Sequence, residues 1–229
     1  MVRLRRCLPV AGLSLAACGH HHPGPAGPEP LSSAEIAMLD ADALDRPLAM
    51  MLAGTPEGDD MLRRLAQPVG PDDPTLARLE ARMRATLLVQ RGVGLAAPQV
   101  GISRRVILVE RQDRASEGGP GPVELYLNPR IMWRCEETVT GWEGCLSVPG
   151  WRGEVIRPER IRLAYDLRGG GRHEEDVEGW TARIFQHEID HLDGVLYTDK
   201  VHSGLVDEVD WKNRREGSGD TDEPRDHGE

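Results

Sequence analysis

The stretch WTARIFQHEIDHL, Trp180–Leu192, predicts a helix from which the rest of the fold can be worked out. At helical spacing, one side of it carries Trp180, Ile184, His187, Glu188 and His191. A second side is apolar and carries Ala182, Phe185, Ile189 and Leu192. Because other elements have to cover both sides, we expect this helix at the centre of the domain.

The motif HEIDH, His187–His191, has the spacing of a metal site. Two histidines four residues apart point the same way from a helix and can bind one cation. Glu188 between them lies beside such a cation without binding it, where it can accept a proton from water. The alternative is a coincidental spacing, which leaves the shared face with Trp180 and Ile184 unexplained.

Two histidines do not complete a catalytic metal site, which normally has three protein ligands and one open position. Downstream candidates are poor, because the third histidine of metzincin peptidases would fall at Tyr197, and Glu208 lies in a charged tail. Upstream, Cys145 lies in the segment WEGCLSVPG, Trp142–Gly150. A thiolate with two neutral imidazoles suits Fe(II), Ni(II), Co(II) or Zn(II). A small buried hydrophobe and a disulfide with Cys135 are the alternatives for Cys145.

A third segment, GVGLAAPQVG, spans Gly92–Gly101. Its small residues allow a backbone to approach a ligand closely, and Gln99 adds one amide donor that could stabilise an oxyanion. Taken alone, this pattern is more typical of a tight turn against a core than of a site.

The rest of the sequence predicts an α+β fold in which antiparallel or mixed β-sheets pack around the C-terminal HEIDH helix. An earlier helix opens at Pro74 and Thr75, with Asp73 as its cap, and ends at Gly92. Beyond this helix, apolar residues tend to recur at every second position, which is the spacing of a strand. Gly/Pro turns separate four predicted strands, Arg105–Glu110, Val123–Asn128, Gly153–Arg157 and Ile161–Asp166.

The two ends of the chain differ from the middle in composition. Residues 1–30 combine a basic start, a short apolar run and LAAC, which ends at Cys18 and resembles a lipoprotein lipobox, with a Pro/Gly linker behind it. The alternative is a translation start near Met38 or Met50. We expect a helical lead-in over 31–50, a catalytic domain over 51–202 and a charged, disordered tail over 203–229.

Composition limits the classes of function. A formal net charge of −10 argues against a general nucleic-acid binder, because phosphate contacts need clustered lysine and arginine. One phenylalanine and three tyrosines are too few for an aromatic platform that stacks bases. From the residues alone, a metal hydrolase, a peptidase of the HExxH type and a non-enzymatic metal or peptide binder all remain open.

The three segments together resemble the peptide deformylase family. That family carries G-x-G-L-A-A-x-Q, E-G-C-x-S and Q-H-E-x-x-H in this order, and here they stand at Gly92–Gly101, Glu143–Ser147 and Gln186–His191. The resemblance extends from about Leu52 to Lys200. It implies a metal-dependent hydrolase that removes the formyl group from the N-terminal formylmethionine of newly made polypeptides and releases formate.

The resemblance also implies roles for the residues at the metal. Cys145, His187 and His191 would bind one divalent metal, with Fe(2+) the metal implied and Zn(2+), Ni(2+) or Co(2+) as alternatives. Glu188 would be the general acid and base.

Further roles follow from the resemblance around the substrate. The Gln99 side-chain amide and the Leu146 backbone N–H would stabilise the oxyanion. Backbone groups of Val93, Gly94 and Gly144 would hold the peptide in an extended pose.

Four more residues stand at positions of interest. Arg152 matches a basic position of the family and would orient Glu143. Trp142 stands where many members have an acidic residue, and Arg183 where some have an aliphatic one. With Trp180, Arg183 could reshape the methionine pocket.

The partners implied are N-formylmethionyl peptides and nascent chains at the ribosome exit region, with no specific nucleic acid. The function implies a cytoplasmic location. The LAAC segment implies an envelope lipoprotein instead, with membrane contact only through a lipidated Cys18.

Overall fold

Two antiparallel sheets flank the helix that carries the HEIDH motif. A computed structural model describes residues 28–117 and 119–218 of the chain. The LAAC segment that ends at Cys18 and the final residues 219–229 lie outside the described residues. Among residues 28–117 and 119–218, no helix is long and apolar enough to cross a membrane.

The described residues form five α-helices and eight strands. The helices are α1 (Ser33–Asp40), α2 (Pro56–Leu62), α3 (Leu76–Gln90), α4 (Gly179–Leu192) and α5 (Glu208–Ser218). The strands are β1 (Gly94–Ala96), β2 (Val106–Glu110), β3 (Val123–Arg134), β4 (Thr138–Cys145), β5 (Val148–Pro158), β6 (Arg160–Asp166), β7 (Arg172–Glu178) and β8 (Val201–Asp207).

The strands form one five-stranded and one three-stranded sheet. Their orders are β1-β2-β3-β6-β7 and β4-β5-β8, and neighbouring strands run antiparallel throughout. Strands β1 and β4 are therefore edge strands of the two sheets. The expected α+β fold with antiparallel sheets around the C-terminal helix is confirmed.

Helix α4 is covered on both sides, as its two patterned faces predict. On the apolar side, Phe185 and Leu192 are fully buried, and the Phe185 ring meets Tyr126 of β3 edge-on with centroids 4.7 Å apart. On the other side, His187 and His191 face residues of β4 in the smaller sheet. The helix thus connects the two sheets.

Helix α3 begins later than predicted and uses a different cap. It starts at Leu76 after the cap residue Thr75, and Asp73 instead accepts hydrogen bonds from the Thr75 backbone N–H at 2.8 Å and its hydroxyl at 2.6 Å. Asp73 therefore stabilises the turn before the helix. The helix ends at Gln90, and its cap residue Arg91, just before the predicted Gly92, is in a left-handed conformation with φ of 55°.

The sequence patterns do not predict β1, β4, β7 or β8. Strand β7, RHEEDVE, is rich in charges, which suit an exposed edge strand because they discourage further pairing. The strand forms because its backbone pairs with β6, and its side-chain pattern does not indicate this pairing.

The expected disordered tail is wrong for residues 203–218. Strand β8 pairs with β5, with Trp151 opposite Asp207. Helix α5 follows and buries Trp211, which is only 2% exposed. The charged composition of this segment predicts disorder, but the single indole of Trp211 supplies enough buried apolar area to anchor the helix.

The predicted helical lead-in contains one helix and is anchored by buried arginines. Arg82 of α3 donates from Nε to the Arg46 carbonyl at 2.6 Å and from Nη1 to the Leu39 carbonyl at 2.9 Å. Arg104 forms an ion pair with Glu35 of α1 at 2.8 Å. These arginines provide hydrogen-bond and ion-pair partners for the carbonyl groups and the carboxylate of the segment. The segment can therefore pack against the core without leaving these polar groups unpaired.

Replacing Leu39 by alanine should lower the free energy of unfolding by about 2–5 kcal/mol, because the deletion leaves a cavity in the core. Leu39 is 1% exposed, whereas Leu44 in the same segment is 51% exposed. Leu44→Ala is therefore the matched control and should change stability by less than about 0.5 kcal/mol. Urea denaturation measures both, and equal stabilities would contradict the packing of this segment.

Candidate metal centre and active site

The three predicted metal ligands come together between β4 and α4. One ligand atom from each of Cys145, His187 and His191 lies within 4.8 Å of the others. The Cys145 Sγ lies 3.2 Å from His191 Nε2. Helical spacing places the two histidines on one face, and the end of β4 supplies the cysteine.

A local irregularity of the β4–β5 hairpin presents the cysteine. The pairing shifts register between Gly144, which lies opposite Arg152, and Cys145, which lies opposite Val148. Such a shift turns the next side chain away from its regular direction. Cys145 and Cys135 are both free thiols, so the disulfide alternative is wrong.

A buried carboxylate, Glu143, orients one of the imidazoles. Its Oε2 lies 2.9 Å from His187 Nδ1. A proton on Nδ1 then leaves Nε2 as the atom that can bind a metal. Burial alone would raise the pKa of Glu143, but hydrogen bonds from Arg157 and His187 hold the pKa well below its usual value.

Two arginines compensate the charge of Glu143. Arg157 donates from Nε at 2.6 Å and from Nη2 at 2.8 Å, and Arg183 donates from Nη1 at 2.8 Å. Arg157 also donates to Asp190 at 2.7 Å, within the HEIDH motif. This ion-pair network therefore joins β4, β5 and α4 directly behind the site.

The expectation that Arg152 orients Glu143 is wrong, because Arg157 and Arg183 occupy that place. Arg152 instead donates from Nη2 to Glu208 of α5 at 3.3 Å. The sequence motifs did not single out Arg157, although the alternation of side chains along its strand indicates that it points inwards. It lies two residues after the buried Val155 on the same strand, so both side chains point inwards.

Glu188 lies beside the triad in a buried position. A Cβ atom on Gly94 would lie 2.4 Å from Glu188 Oε1, so only glycine allows this approach. Its Oε2 is buried and has no hydrogen-bond partner among the described residues. Burial raises the pKa of Glu188 to about 7.

Gln99 is held with its amide group towards Cys145. Its Oε1 accepts from the Ala96 backbone N–H at 2.8 Å, which fixes the orientation of the amide. Its Nε2 then lies 3.4 Å from Cys145 Sγ and 3.3 Å from Ser147 Oγ. The amide donor therefore points into the site that contains the three ligands.

An open cleft of about 380 Å³ leads to this centre. The lining residues include all three predicted peptide-binding residues and the oxyanion residue of the cysteine segment: Val93, Gly94, Gly144 and Leu146. Trp142, Trp180 and Arg183 also line it, and the Arg183 guanidinium is tied to Glu143 and to the carbonyls of Val139 and Val155. The volume suits a side chain and a short piece of peptide.

The donor set fits a metal ion. One thiol sulfur and two imidazole nitrogens converge, which is a common set for a divalent transition metal. Burial lowers the pKa of His191 well below its usual value, which favours the neutral imidazole that binds metals. With a buried carboxyl and an amide donor beside it, the α+β fold and this site define a metal-dependent hydrolase.

Comparison with known proteins identifies the family. A family model described as polypeptide deformylase matches residues 55–205. The chain belongs to the polypeptide deformylase family, whose metal-dependent members remove the formyl group from N-terminal formylmethionine.

Individual relatives agree with this membership. A peptide deformylase of Symbiobacterium thermophilum is 46% identical over 144 residues, which are 63% of this chain and 64% of the relative. Peptide deformylase 3 of Streptomyces avermitilis is 38% identical over 191 residues, covering 74% and 84% of the two chains. A crystal structure of the Acinetobacter baumannii peptide deformylase with Met-Ala-Ser bound is 38% identical with a TM-score of 0.61, covering 69% of this chain and 99% of that one.

Replacing Glu143 by glutamine should weaken metal binding by roughly 10–100-fold, because an outer carboxylate fixes the orientation of a ligating histidine. Competition with a chelator measures the affinity, and circular dichroism checks that the variant is folded. Glu136→Gln, at an exposed position between β3 and β4, is the charge-matched control. Equal affinities in the two variants would contradict the orienting role.

Proposed function

We propose that Cys145, His187 and His191 bind one divalent metal ion and that Glu188, Gln99 and Leu146 catalyse hydrolysis of the N-formyl group. The observation that carries this proposal is the position of Glu188, buried against Gly94 beside the three ligands. A chain that only bound metal or peptide would need neither this buried carboxyl nor the oriented amide of Gln99.

The proposed metal is Fe(2+), with Zn(2+), Ni(2+) and Co(2+) as alternatives that the same ligands accept. Held by these three side chains, a divalent ion would supply the Lewis acidity that lowers the pKa of water towards neutrality. Glu143 supports the site by holding His187 through Nδ1. Arg157 and Arg183 in turn keep Glu143 ionised.

Glu188 acts as the proton carrier. Its carboxylate accepts a proton from the attacking water, whose oxygen forms a bond to the formyl carbon. The carbon–nitrogen bond then breaks, and Glu188 returns the proton to the leaving amine nitrogen, so that formate and a free amino terminus result. A pKa of about 7 allows both transfers near neutral pH.

Gln99 and Leu146 stabilise the charge that develops on the formyl oxygen. The Gln99 amide is held in place before substrate arrives, because its Oε1 accepts from Ala96 N–H. A donor whose orientation is fixed in advance lowers the reorganisation needed in the transition state. The Leu146 backbone N–H, directly after Cys145, is the second donor of this proposal.

The peptide part of the substrate lies between two edge strands. Gly94 belongs to β1 and Gly144 to β4, and each is the outermost strand of its sheet. An extended peptide can add to such an edge through backbone hydrogen bonds, with Val93 next to Gly94 contributing as well. The tripeptide Met-Ala-Ser bound to the Acinetobacter baumannii relative supports a short peptide as the ligand of this cleft.

Replacing Glu188 by glutamine should lower the rate of formate release from formyl-Met-Ala-Ser by roughly 10²–10⁴-fold, because proton transfer is lost. Metal content should stay at the wild-type level, since Glu188 is not among the ligands. Glu178→Gln, an exposed cap residue of the same helix, is the control. Near wild-type deformylation by the Glu188 variant with full metal content would refute the role.

The proposed place of action is the cytoplasm, on nascent chains near the ribosome exit region, because formylated amino termini arise during translation. Mass spectrometry of the native amino terminus tests this location. We expect a chain without acylation, and an acylated Cys18 would instead show export as a lipoprotein.

A further inference from the structure

Helix α5 borders the substrate cleft, although it lies beyond the part of the chain that the family model matches. That match ends at residue 205, and α5 begins at Glu208. Glu208 and Lys212 both line the cleft that leads to Cys145. This wall is therefore formed by residues outside the matched region, and it lines the cleft that leads to the site.

Arg152 of β5 contacts α5 at the cleft. Its guanidinium carbon lies 4.4 Å from the centre of the Trp211 ring. Its Nη2 donates to Glu208 Oε1 at 3.3 Å, and Lys212 Nζ lies 3.9 Å from the same oxygen. Among the described residues, the ring face of Trp211 and the carboxylate of Glu208 thus both contact this guanidinium.

The position of Arg152 matters because its side chain lies against the backbone that leads to the metal ligand. A Cβ atom on Gly144 would lie 3.1 Å from Cδ, Nε and Cζ of Arg152. Gly144 directly precedes Cys145, and Arg152 itself lines the cleft. A displaced guanidinium would change the wall next to the peptide while leaving the three ligand side chains in place.

We propose that α5 completes the substrate cleft, with Glu208 and Trp211 as positioning residues for Arg152, which contacts the substrate beyond the formylmethionine. The inference rests on the proposed function and names the part of the substrate concerned, which is the peptide chain after the first residue. A guanidinium provides several donors in a rigid plane, which suits peptide carbonyl and carboxylate oxygens. Such donors help only if the plane is held at the correct angle.

The length of the substrate separates this role from a purely structural one. Formyl-Met-Ala-Ser extends beyond the first residue, whereas formylmethionine amide does not. If Arg152 is no longer held in position, the KM for the tripeptide should rise while the KM for the amide stays the same. General destabilisation of the chain would instead affect both substrates alike.

Glu208→Gln is the main variant, and Asp210→Asn is its matched control. Both remove one negative charge from the first turn of α5, but Asp210 is exposed and does not line the cleft. The ratio of kcat/KM for the tripeptide to that for the amide should fall about two- to fivefold in Glu208→Gln, because a half-exposed ion pair contributes modestly. Trp211→Leu should lower the same ratio by about two- to fivefold through loss of the cation–π contact.

A double-mutant cycle with Arg152→Met tests the route of the effect. Once Arg152 is absent, Glu208→Gln should no longer change the ratio, because Glu208 acts through Arg152. The proposal is overturned if the ratio falls equally in Glu208→Gln and Asp210→Asn. It is also overturned if the fall persists in the Arg152→Met background.

Binding of the product tripeptide gives the same comparison without turnover. The Kd of Met-Ala-Ser, measured by calorimetry on the metal-loaded protein, should rise about two- to fivefold in Glu208→Gln and stay constant in Asp210→Asn. Absence of formate release by the wild-type chain would refute the proposed function, and the calorimetric result would still decide the role of α5. An unchanged Kd in Glu208→Gln would overturn it.

Discussion

The carboxylate of Glu143 receives hydrogen bonds from Arg157, Arg183 and His187 in the interior of the domain. A buried charge costs several kcal/mol unless partners compensate it, so these groups have to come together for the fold to be stable. Their positions fix β5 and α4 relative to β4. The same contacts orient His187, so that the interaction which holds the smaller sheet to the helix also prepares the metal site.

Close backbone approaches complete the site that this network prepares. Gly94 admits the Glu188 carboxyl, whose Oε1 would lie only 2.4 Å from a Cβ atom, and Gly144 admits the Arg152 side chain, which a Cβ atom would crowd at 3.1 Å. Glu188, the proposed proton carrier, is thereby buried and its pKa is raised to about 7, since burial disfavours the ionised form. The glycines of the two motifs therefore have a steric role in addition to any contact with substrate.

Segments outside the matched region support the site from both ends of the described chain. Near the start, the Met51 N–H donates to the Gln99 carbonyl at 2.8 Å, and the Ala53 N–H donates to the Ser147 carbonyl at 2.8 Å. This short segment therefore holds the glutamine and cysteine segments side by side. Near the end, α5 follows β8 and borders the cleft.

The sequence by itself determined helix α4 and the three motifs, because helical spacing and short motifs are local properties of the chain. Through the family resemblance, these motifs also predicted Cys145, His187 and His191 as one set of metal ligands. The sequence did not reveal that Arg157 and Arg183, rather than Arg152, surround Glu143. It also did not reveal that Trp211 anchors an ordered α5. Which charges pair and which indole is buried depends on strands and helices far apart in sequence, and only the tertiary structure brings these together.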